Sequence, residues 1–342
     1  MLTALILLAA IALAQPAPQA NPSPTTESLR GASAVSRNIA WASGTHGTYL
    51  RTTDAGRTWI PAQVPGASTL DFRAVVAFSA DEAFLMSAGP GDQSRIYHTT
   101  DAGKTWQLQF TNANPKGFFD SMVFWDRTHG IVLGDPIQDE TGKLKFELLI
   151  TNDGQTWTHI PPSQLQPAVE GEGAFAASNS CIAISDPNIW FATGGRAARV
   201  FHSPDRGQTW QVFETPIVHG PDSAGIFSIA FRDKNNGVVA GGDYKHPDQD
   251  GPNLAFTTDA GKTWTLSPIS PHSYYSAVAY DRKSKDRLFL VGSKFIYDLR
   301  PPKNLTPITP PKSSGKQFNA LSPFPQGGSL VVGPKGAIAI VP

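Results

Sequence analysis

A motif of eight residues recurs five times along the 342-residue chain. The first copy is Thr52–Trp59, with the sequence TTDAGRTW, and TTDAGKTW, ITNDGQTW, SPDRGQTW and a second TTDAGKTW follow at 99–106, 150–157, 203–210 and 257–264. Successive copies lie roughly 50 residues apart, a period typical of stacked or radially arranged structural repeats. The chain is therefore expected to fold as a series of similar units.

The residue types of the octet are those of a tight turn between two strands. An aspartate at the third position can accept hydrogen bonds from backbone N–H groups further along the turn, and the glycine can adopt positive φ. The tryptophan begins the next strand and fills space between neighbouring sheets. We predict that the third residue of every octet is structural and serves neither calcium binding nor catalysis; these residues are Asp54, Asp101, Asn152, Asp205 and Asp259.

Apolar strands that end in glycine accompany the repeats, five of them upstream of an octet and two without one. They lie at 39–44, 83–89, 130–134, 189–194, 237–242, 287–292 and 329–333. A further apolar strand precedes each of them, as at Arg73–Phe78 and Ile226–Phe231, and two more strands flank each octet. Four strands per unit of about 47 residues predict the blade of a β-propeller. The expected fold is all-β, a seven-bladed propeller of four-stranded antiparallel blades.

The seventh unit is one strand short, because the sequence after Ala337–Val341 leaves no room for an outermost strand. An unpaired strand edge is a liability that natural proteins cover. We predict that the segment Thr25–Leu29 supplies the missing strand. An N-terminal strand would then complete the last blade and close the ring.

The first residues have the features of a targeting segment. Leu2–Leu13 is apolar but too short to span a bilayer, and Ala12-Leu13-Ala14 offers a small-x-small cleavage site. We predict a signal peptide at 1–14, a Pro-rich linker at 15–24, and a single domain at 25–342 without a transmembrane segment. The mature protein is expected to be an exported monomer, periplasmic or extracellular.

Composition excludes several classes of partner and site. Lys and Arg together number 28, as do Asp and Glu, so no net charge favours nucleic acid. Cys181 is the single cysteine, which rules out an intrachain disulfide and a cysteine-based metal site. The eight histidines are scattered without the spacing of zinc ligands. We expect neither a metal nor a cofactor.

The octets resemble the Asp-box, or BNR, repeat, and the resemblance extends over nearly the whole mature chain. Together with the segments Leu29–Gly44 and Gly225–Asp243, they resemble the photosystem II stability/assembly factor-like group of seven-bladed propellers. In the photosynthetic members of the group, the implied role is binding newly made membrane subunits during assembly. Bacterial members of the group are often labelled oxidoreductase or glycosyl hydrolase. Fold does not fix function, so the site residues need their own argument.

Ligands of propellers usually meet the face that carries the loops into each innermost strand and the loops between the second and third strands. Charged and aromatic residues concentrate in these loops of an otherwise charge-poor chain, and loops on a rigid scaffold are where function usually resides. The ligand-binding candidates are Arg30, Arg73, Asp135, Arg196, Asp243, Tyr244 and Lys245. We expect a non-catalytic propeller that binds a protein or a carbohydrate polymer on this face.

A glycoside hydrolase that uses the same face is the alternative. In a sialidase-like arrangement, arginines hold a carboxylate while Tyr275, Glu172 and Asp71 act as nucleophile, assisting base and acid. A two-carboxylate glycosidase would instead pair Asp120 with Glu172. No spacing in the sequence forces these residues together, so both possibilities stay open here.

Overall fold

The computed structural model describes residues 19–20, 23–269, 273–292, 295–300, 304–308 and 317–342. The predicted signal peptide at 1–14 and most of the predicted linker lie outside the described residues. The described part contains thirty strands and three short 3-10 turns, at Gly91–Gln93, Pro162–Gln164 and Pro334–Gly336. The prediction of an all-β chain is confirmed.

The strands form seven sheets, each built around four antiparallel strands. Strand β1 (Gln19–Ala20) belongs to the last blade. Blade 1 contains β2 (Leu29–Ala34), β3 (Ala40–Gly44), β4 (Thr48–Thr52) and β5 (Ile60–Gln63). Blade 2 contains β6 (Asp71–Ala77), β7 (Ala83–Ala88), β8 (Arg95–Thr99) and β9 (Gln107–Thr111). Blade 3 contains β10 (Phe119–Phe124), β11 (Gly130–Gln138), β12 (Leu144–Thr151) and β13 (Thr158–His159).

The remaining blades follow the same order. An additional strand pair, β14 (Glu172–Gly173) and β17 (Gly194–Gly195), joins the sheet of blade 5 at the edge of its first strand. Blade 4 contains β15 (Ile182–Ser185), β16 (Asn188–Ala192), β18 (Arg199–Ser203) and β19 (Gln211–Glu214), and blade 5 contains β20 (Ala224–Phe231), β21 (Gly237–Asp243), β22 (Leu254–Thr257) and β23 (Thr265–Leu266). Blade 6 contains β24 (Tyr275–Tyr280), β25 (Leu288–Gly292), β26 (Ile296–Arg300) and β27 (Asn304–Ile308). Blade 7 contains β28 (Ala320–Pro323), β29 (Ser329–Val332), β30 (Ile338–Val341) and β1.

The first strands of successive blades contact one another around a closed ring. Strand β2 touches both β6 of the second blade and β28 of the seventh, so the first and last blades are neighbours. The core consists of seven apolar clusters between adjacent blades, such as the one that packs Leu50 and Trp59 of blade 1 against Leu330 of blade 7. The predicted seven-bladed propeller is confirmed.

The octets form the turn between the third and fourth strands of their blades. In the first octet, the Asp54 Oδ1 atom accepts a hydrogen bond from the Thr58 backbone N–H at 2.9 Å, and Oδ2 accepts one from the Thr58 hydroxyl at 2.6 Å. The Thr52 hydroxyl accepts from the Gly56 N–H at 3.0 Å, where Gly56 has a φ of 75°. These hydrogen bonds to the Asp54 side chain lower its pKa to about 2. The same contacts recur around Asp101, Asp205 and Asp259.

The third octet corrects the assignment of Asn152. Asp153 holds this turn, because its Oδ1 atom accepts from the Thr156 N–H at 2.7 Å and from the Thr151 hydroxyl at 3.1 Å. In the other octets one residue with positive φ stands between the aspartate and the glycine, as Ala55 does at 63°. The third octet lacks that residue, so its aspartate directly precedes Gly154 and the alignment shifts by one position.

Ring closure takes place through the N-terminal segment, but with other residues than Thr25–Leu29. The outermost strand of blade 7 is β1, in which Gln19 pairs with Ile340 and Ala20 with Ala339. Leu29 instead begins the first strand of blade 1. The backbone between these strands lies against blade 7, where the Glu27 carbonyl accepts from the Gly336 N–H at 2.7 Å. The segment predicted as a linker thus contains the closing strand.

Replacing Asp259 with alanine is expected to lower the free energy of unfolding by about 1–2 kcal/mol, because the turn loses its side-chain hydrogen bonds. Urea denaturation measures the change, and the exposed acid Glu140 provides a matched control in Glu140→Ala, which should leave the midpoint unchanged. Any ligand affinity of the folded protein should survive in Asp259→Ala. Loss of affinity at unchanged stability would contradict a structural role.

No helix within the described ranges is long and apolar enough to cross a membrane.

Candidate ligand-binding site

A cavity of about 510 Å³ opens at one mouth of the central ring. Residues of all seven blades, or of the connections that enter them, contribute to its wall. The lining residues are Arg30, Arg73, Phe118, Asp120, Asp135, Ala174, Phe175, Ala176, Ala177, Phe227, Tyr244, Tyr274 and Asn319. Five of the residues singled out in the sequence are among them, namely Arg30, Arg73, Asp120, Asp135 and Tyr244.

The alternation of antiparallel strands explains which residues meet here. The chain enters each blade and passes between its second and third strands on one face, and it passes between the other strands on the opposite face. Lining residues such as Tyr274 precede or begin a first strand, whereas Asp135 and Tyr244 lie at or just beyond the end of a second strand. The octet turns join third and fourth strands and therefore lie on the face away from the cavity.

Four lining residues occupy equivalent positions in β-bulges. The pairing of the first strand with the second skips Arg30, Arg73, Asp120 and Phe227 in blades 1, 2, 3 and 5. A bulged residue leaves the alternation of the strand and can point in a direction that regular pairing would not allow. The bulges bring these four side chains to the mouth.

The long connection from blade 3 to blade 4 supplies the part of the wall that sequence reasoning missed. Its segment Ala174–Ala177 lines the cavity, and Phe175 stacks on Phe227 with ring centroids 3.8 Å apart. A buried ion pair between Glu172 and Arg199 fixes the base of this connection, and the Thr193 hydroxyl donates to Glu172 at 2.6 Å. These contacts join residues that are distant in sequence, so no local sequence pattern predicts them.

The arginines of the mouth belong to blades 1 and 2. The Arg73 Nε atom donates to Asp71 Oδ2 at 2.8 Å, and its Nη1 atom donates to the Ala176 carbonyl at 3.1 Å. Burial, together with the charge of Arg73, lowers the pKa of Arg30. Arg73 thus links blade 2 to the connection from blade 3, while the buried Nε atom of Arg30 has no hydrogen-bond partner among the described residues.

Blade 3 contributes two carboxylates. Asp120 is 1% exposed, and within the described structure neither of its carboxylate oxygens has a hydrogen-bond partner. Burial and the neighbouring charge of Asp135 raise the pKa of Asp120 well above its usual value. Burial also raises the pKa of Asp135 to about 6, although its Oδ1 atom accepts from the Ala174 N–H at 2.9 Å. The two groups bind protons more tightly than exposed aspartates do.

An aromatic wall faces the mouth from blades 5 and 6. Phe227 lies at its centre, with the rings of Tyr274 and Tyr244 edge-on at centroid distances of 4.7 and 6.1 Å. The Tyr244 side chain is 49% exposed. Such a wall offers apolar surface and ring faces to a ligand, beside the charged groups of blades 1 to 3.

The structure places the other candidate residues away from the cavity wall. Arg196 is exposed on a neighbouring loop, and Asp243 and Lys245 lie in a turn where Asp243 Oδ1 accepts from the Lys245 N–H at 2.9 Å. Glu172 is committed to Arg199, so it does not pair with Asp120. Tyr275 is fully buried, and burial raises its pKa, which is unfavourable for a nucleophile. The sialidase-like set is therefore not assembled.

No cluster of three or more histidine, cysteine, aspartate or glutamate side chains in the described part of the chain could hold a metal ion.

Comparison with known proteins agrees with the repeat pattern. A profile of the BNR/Asp-box repeat matches residues 97–108, which include the second octet. The photosystem II assembly protein Ycf48 of Thermosynechococcus vestitus is 23% identical over an alignment of 355 positions, which covers 85% of this chain and 88% of that protein.

Solved structures show the same architecture. YCF48 bound to a D1 peptide superposes with a TM-score of 0.67 and 17% identity, covering 96% of this chain and 98% of that one. YCF48 from Cyanidioschyzon merolae gives a TM-score of 0.66 at 18% identity, with 95% and 99% coverage. A GH74 xyloglucanase from Xanthomonas campestris reaches 0.62 at 15% identity, over 93% of this chain but 52% of that one. The chain thus carries Asp-box (BNR) octets on a seven-bladed propeller, and it is similar in sequence and in fold to the photosystem II assembly protein Ycf48.

Proposed function

We propose that this chain is an exported, non-catalytic propeller that binds a segment of another protein in the mouth of its ring. The composition of the cavity carries the proposal, because an aromatic wall faces charged side chains across a space in the usual range for ligand sites. A peptide presents apolar, charged and hydrogen-bonding groups together. A related propeller, YCF48, has been solved with a D1 peptide bound, which supports this class of ligand. We infer export from the apolar segment at 2–13, and cell fractionation tests it.

Peptides selected from a random phage-displayed library on the purified protein are expected to bind in the mouth. Tyr244→Ala should weaken their binding about tenfold or more, because an exposed aromatic anchor is lost at little cost to the fold. Arg73→Ala should weaken binding as well, together with a loss of stability, because Arg73 also holds the Ala176 carbonyl. Isothermal titration calorimetry gives the affinities, and thermal melts give the stabilities.

Arg196→Ala is the matched control for this experiment. Arg196 is exposed near the mouth but does not line the cavity, so its removal should change neither affinity nor stability. If no peptide is enriched over a blank surface, the proposal fails. Peptides whose binding depends on Arg196 and not on Tyr244 would move the site to the outer loops.

The proximity of Asp120 and Asp135 favours a glycoside hydrolase as the second candidate. A carboxylic acid with a raised pKa beside a second carboxylate is the arrangement that glycosidases use for acid catalysis. The pair differs from the one expected from sequence, since Asp135 takes the place of Glu172. Hydrolysis of any member of a panel of aryl-glycosides and sialosides, abolished in Asp120→Asn, would favour this candidate over peptide binding.

A further inference from the structure

Within the described residues, no positively charged side chain forms an ion pair with Asp120 or Asp135. Neither oxygen of the buried Asp120 side chain has a hydrogen-bond partner in the part of the chain that the structure describes, although the Ala176 backbone N–H is close enough to lower its pKa, and this side chain lines the cavity. The positive charge of Arg73 lowers the pKa of Asp120, but Arg73 donates its hydrogen bonds to Asp71 and to the Ala176 carbonyl. A buried carboxylate without a partner is costly unless a ligand completes it.

Two aromatic residues of the cavity wall adjoin Asp135 through the backbone. The Asp135 backbone N–H donates to the Phe118 carbonyl at 2.9 Å, and the residue that donates to its side chain, Ala174, precedes Phe175. Phe118 and Phe175 both line the cavity. A ring face next to a carboxylate attracts the same ligand group, because the quadrupole of the ring and the negative charge both favour a cation.

We propose that Asp120 and Asp135, flanked by Phe118 and Phe175, form a subsite for a lysine or arginine side chain of the bound peptide. The inference rests on the proposed peptide-binding function and specifies the chemistry of its ligand. A guanidinium or ammonium group would donate charge-assisted hydrogen bonds to the unpartnered oxygens. Its alkyl stem would lie along the phenylalanine rings.

Binding at this subsite is linked to protons. The groups that face the pair are Arg73 from β6, the two carboxyls themselves on β10 and β11, and the thiol of Cys181 before β15, whose own pKa is raised by burial. Since the pKa of Asp135 is raised to about 6, a cationic side chain must displace protons in acidic solution. Affinity for such a peptide should therefore rise as the pH increases from 5 to 7.5.

Four pools of short peptides test the subsite directly. All positions are random except the central one, which is lysine, arginine, norleucine or glutamate. At pH 7.5 the full protein should retain the lysine and arginine pools about tenfold more than the norleucine and glutamate pools. Asp120→Asn and Asp135→Asn should abolish this preference. Asp92→Asn, which removes an exposed carboxylate on the same face, should preserve it.

The outcomes separate this inference from the proposed function. Equal retention of all four pools, or preference for the glutamate pool, overturns the cation subsite and leaves peptide binding intact. Retention of no pool above a blank surface overturns both. A preference for lysine and arginine that persists in Asp120→Asn and Asp135→Asn would place cation recognition elsewhere and overturn the assignment. Thermal melts of each variant confirm that a lost preference does not arise from unfolding.

Discussion

Replacing Glu172 with alanine is expected to lower the free energy of unfolding by about 3–5 kcal/mol, because the substitution leaves the Arg199 guanidinium buried without its counter-charge. The Glu172 side chain is fully buried and that of Arg199 nearly so. Besides the ion pair, Glu172 accepts hydrogen bonds from the Thr193 hydroxyl and from the Val169 backbone N–H at 2.9 Å. Chemical denaturation measures the loss.

Two further variants sharpen this expectation. Glu170 is exposed two residues earlier, so Glu170→Ala should leave the stability unchanged. Replacing Glu172 and Arg199 together with methionine should restore much of the stability, because no unpaired charge then remains in the interior. If Glu172→Ala instead keeps full stability and abolishes an enzymatic activity, Glu172 belongs to a catalytic site and its structural assignment is wrong.

The substitution Asp135→Asn is expected to stabilise the protein at neutral pH. The pKa of Asp135 is raised to about 6 in the folded chain, so between about pH 4 and pH 6 the folded protein binds more protons than the unfolded one. Stability therefore falls as the pH rises through this window. Asparagine cannot ionise, and its side-chain oxygen can still accept from the Ala174 N–H. The expected gain at pH 7.5 is roughly 3 kcal/mol, and little of it should remain near pH 4.

Asp120→Asn should behave in the same direction, since burial and the charge of Asp135 raise the pKa of Asp120. Urea denaturation at pH 4, 5.5 and 7.5 follows the effect, with Asp92→Asn as the exposed control. A higher free energy of unfolding in these variants would mean that the native protein is less stable because it keeps ionisable groups at its mouth, a common feature of functional sites. A loss of stability at pH 7.5 would show instead that the carboxylates are ionised and satisfied by the fold.

The blades were predictable because their signals are local. Each octet carries its own hydrogen-bonding side chains, and each glycine-terminated strand follows a short apolar pattern. The third octet shows the limit of such signals. It has no residue between its aspartate and its glycine, so the aspartate that holds the turn is residue 153 and not residue 152. Strand β1 was missed for a different reason: two residues that pair through their backbone leave almost no trace in side-chain identity.

The site was predictable only in part, again for physical reasons. The positions of the loops between the predicted strands were enough to predict that Arg30, Arg73, Asp135 and Tyr244 lie at the same mouth. The connection through Ala174–Ala177 was not predictable, because contacts between distant residues such as the Glu172–Arg199 ion pair dock it. Arg196 is exposed but is not among the residues that line the cavity, so the position of its loop did not determine whether it contributes to the wall.

The bulges at Arg30, Arg73, Asp120 and Phe227 have a consequence for how this surface can diversify. Each bulged residue adds a side chain to the mouth without occupying a place in the hydrogen-bonded ladder. Exchanging one of them does not shift the alternation of the strand, so the apolar clusters between blades keep their partners. The propeller thus carries positions that can vary at its mouth without a change in strand register, comparable to the variable loops of an antibody but held on strands. A combinatorial library at Arg30 and Asp120 would sample new specificities, with Arg73 and Phe227 kept because they contact the connection Ala174–Ala177.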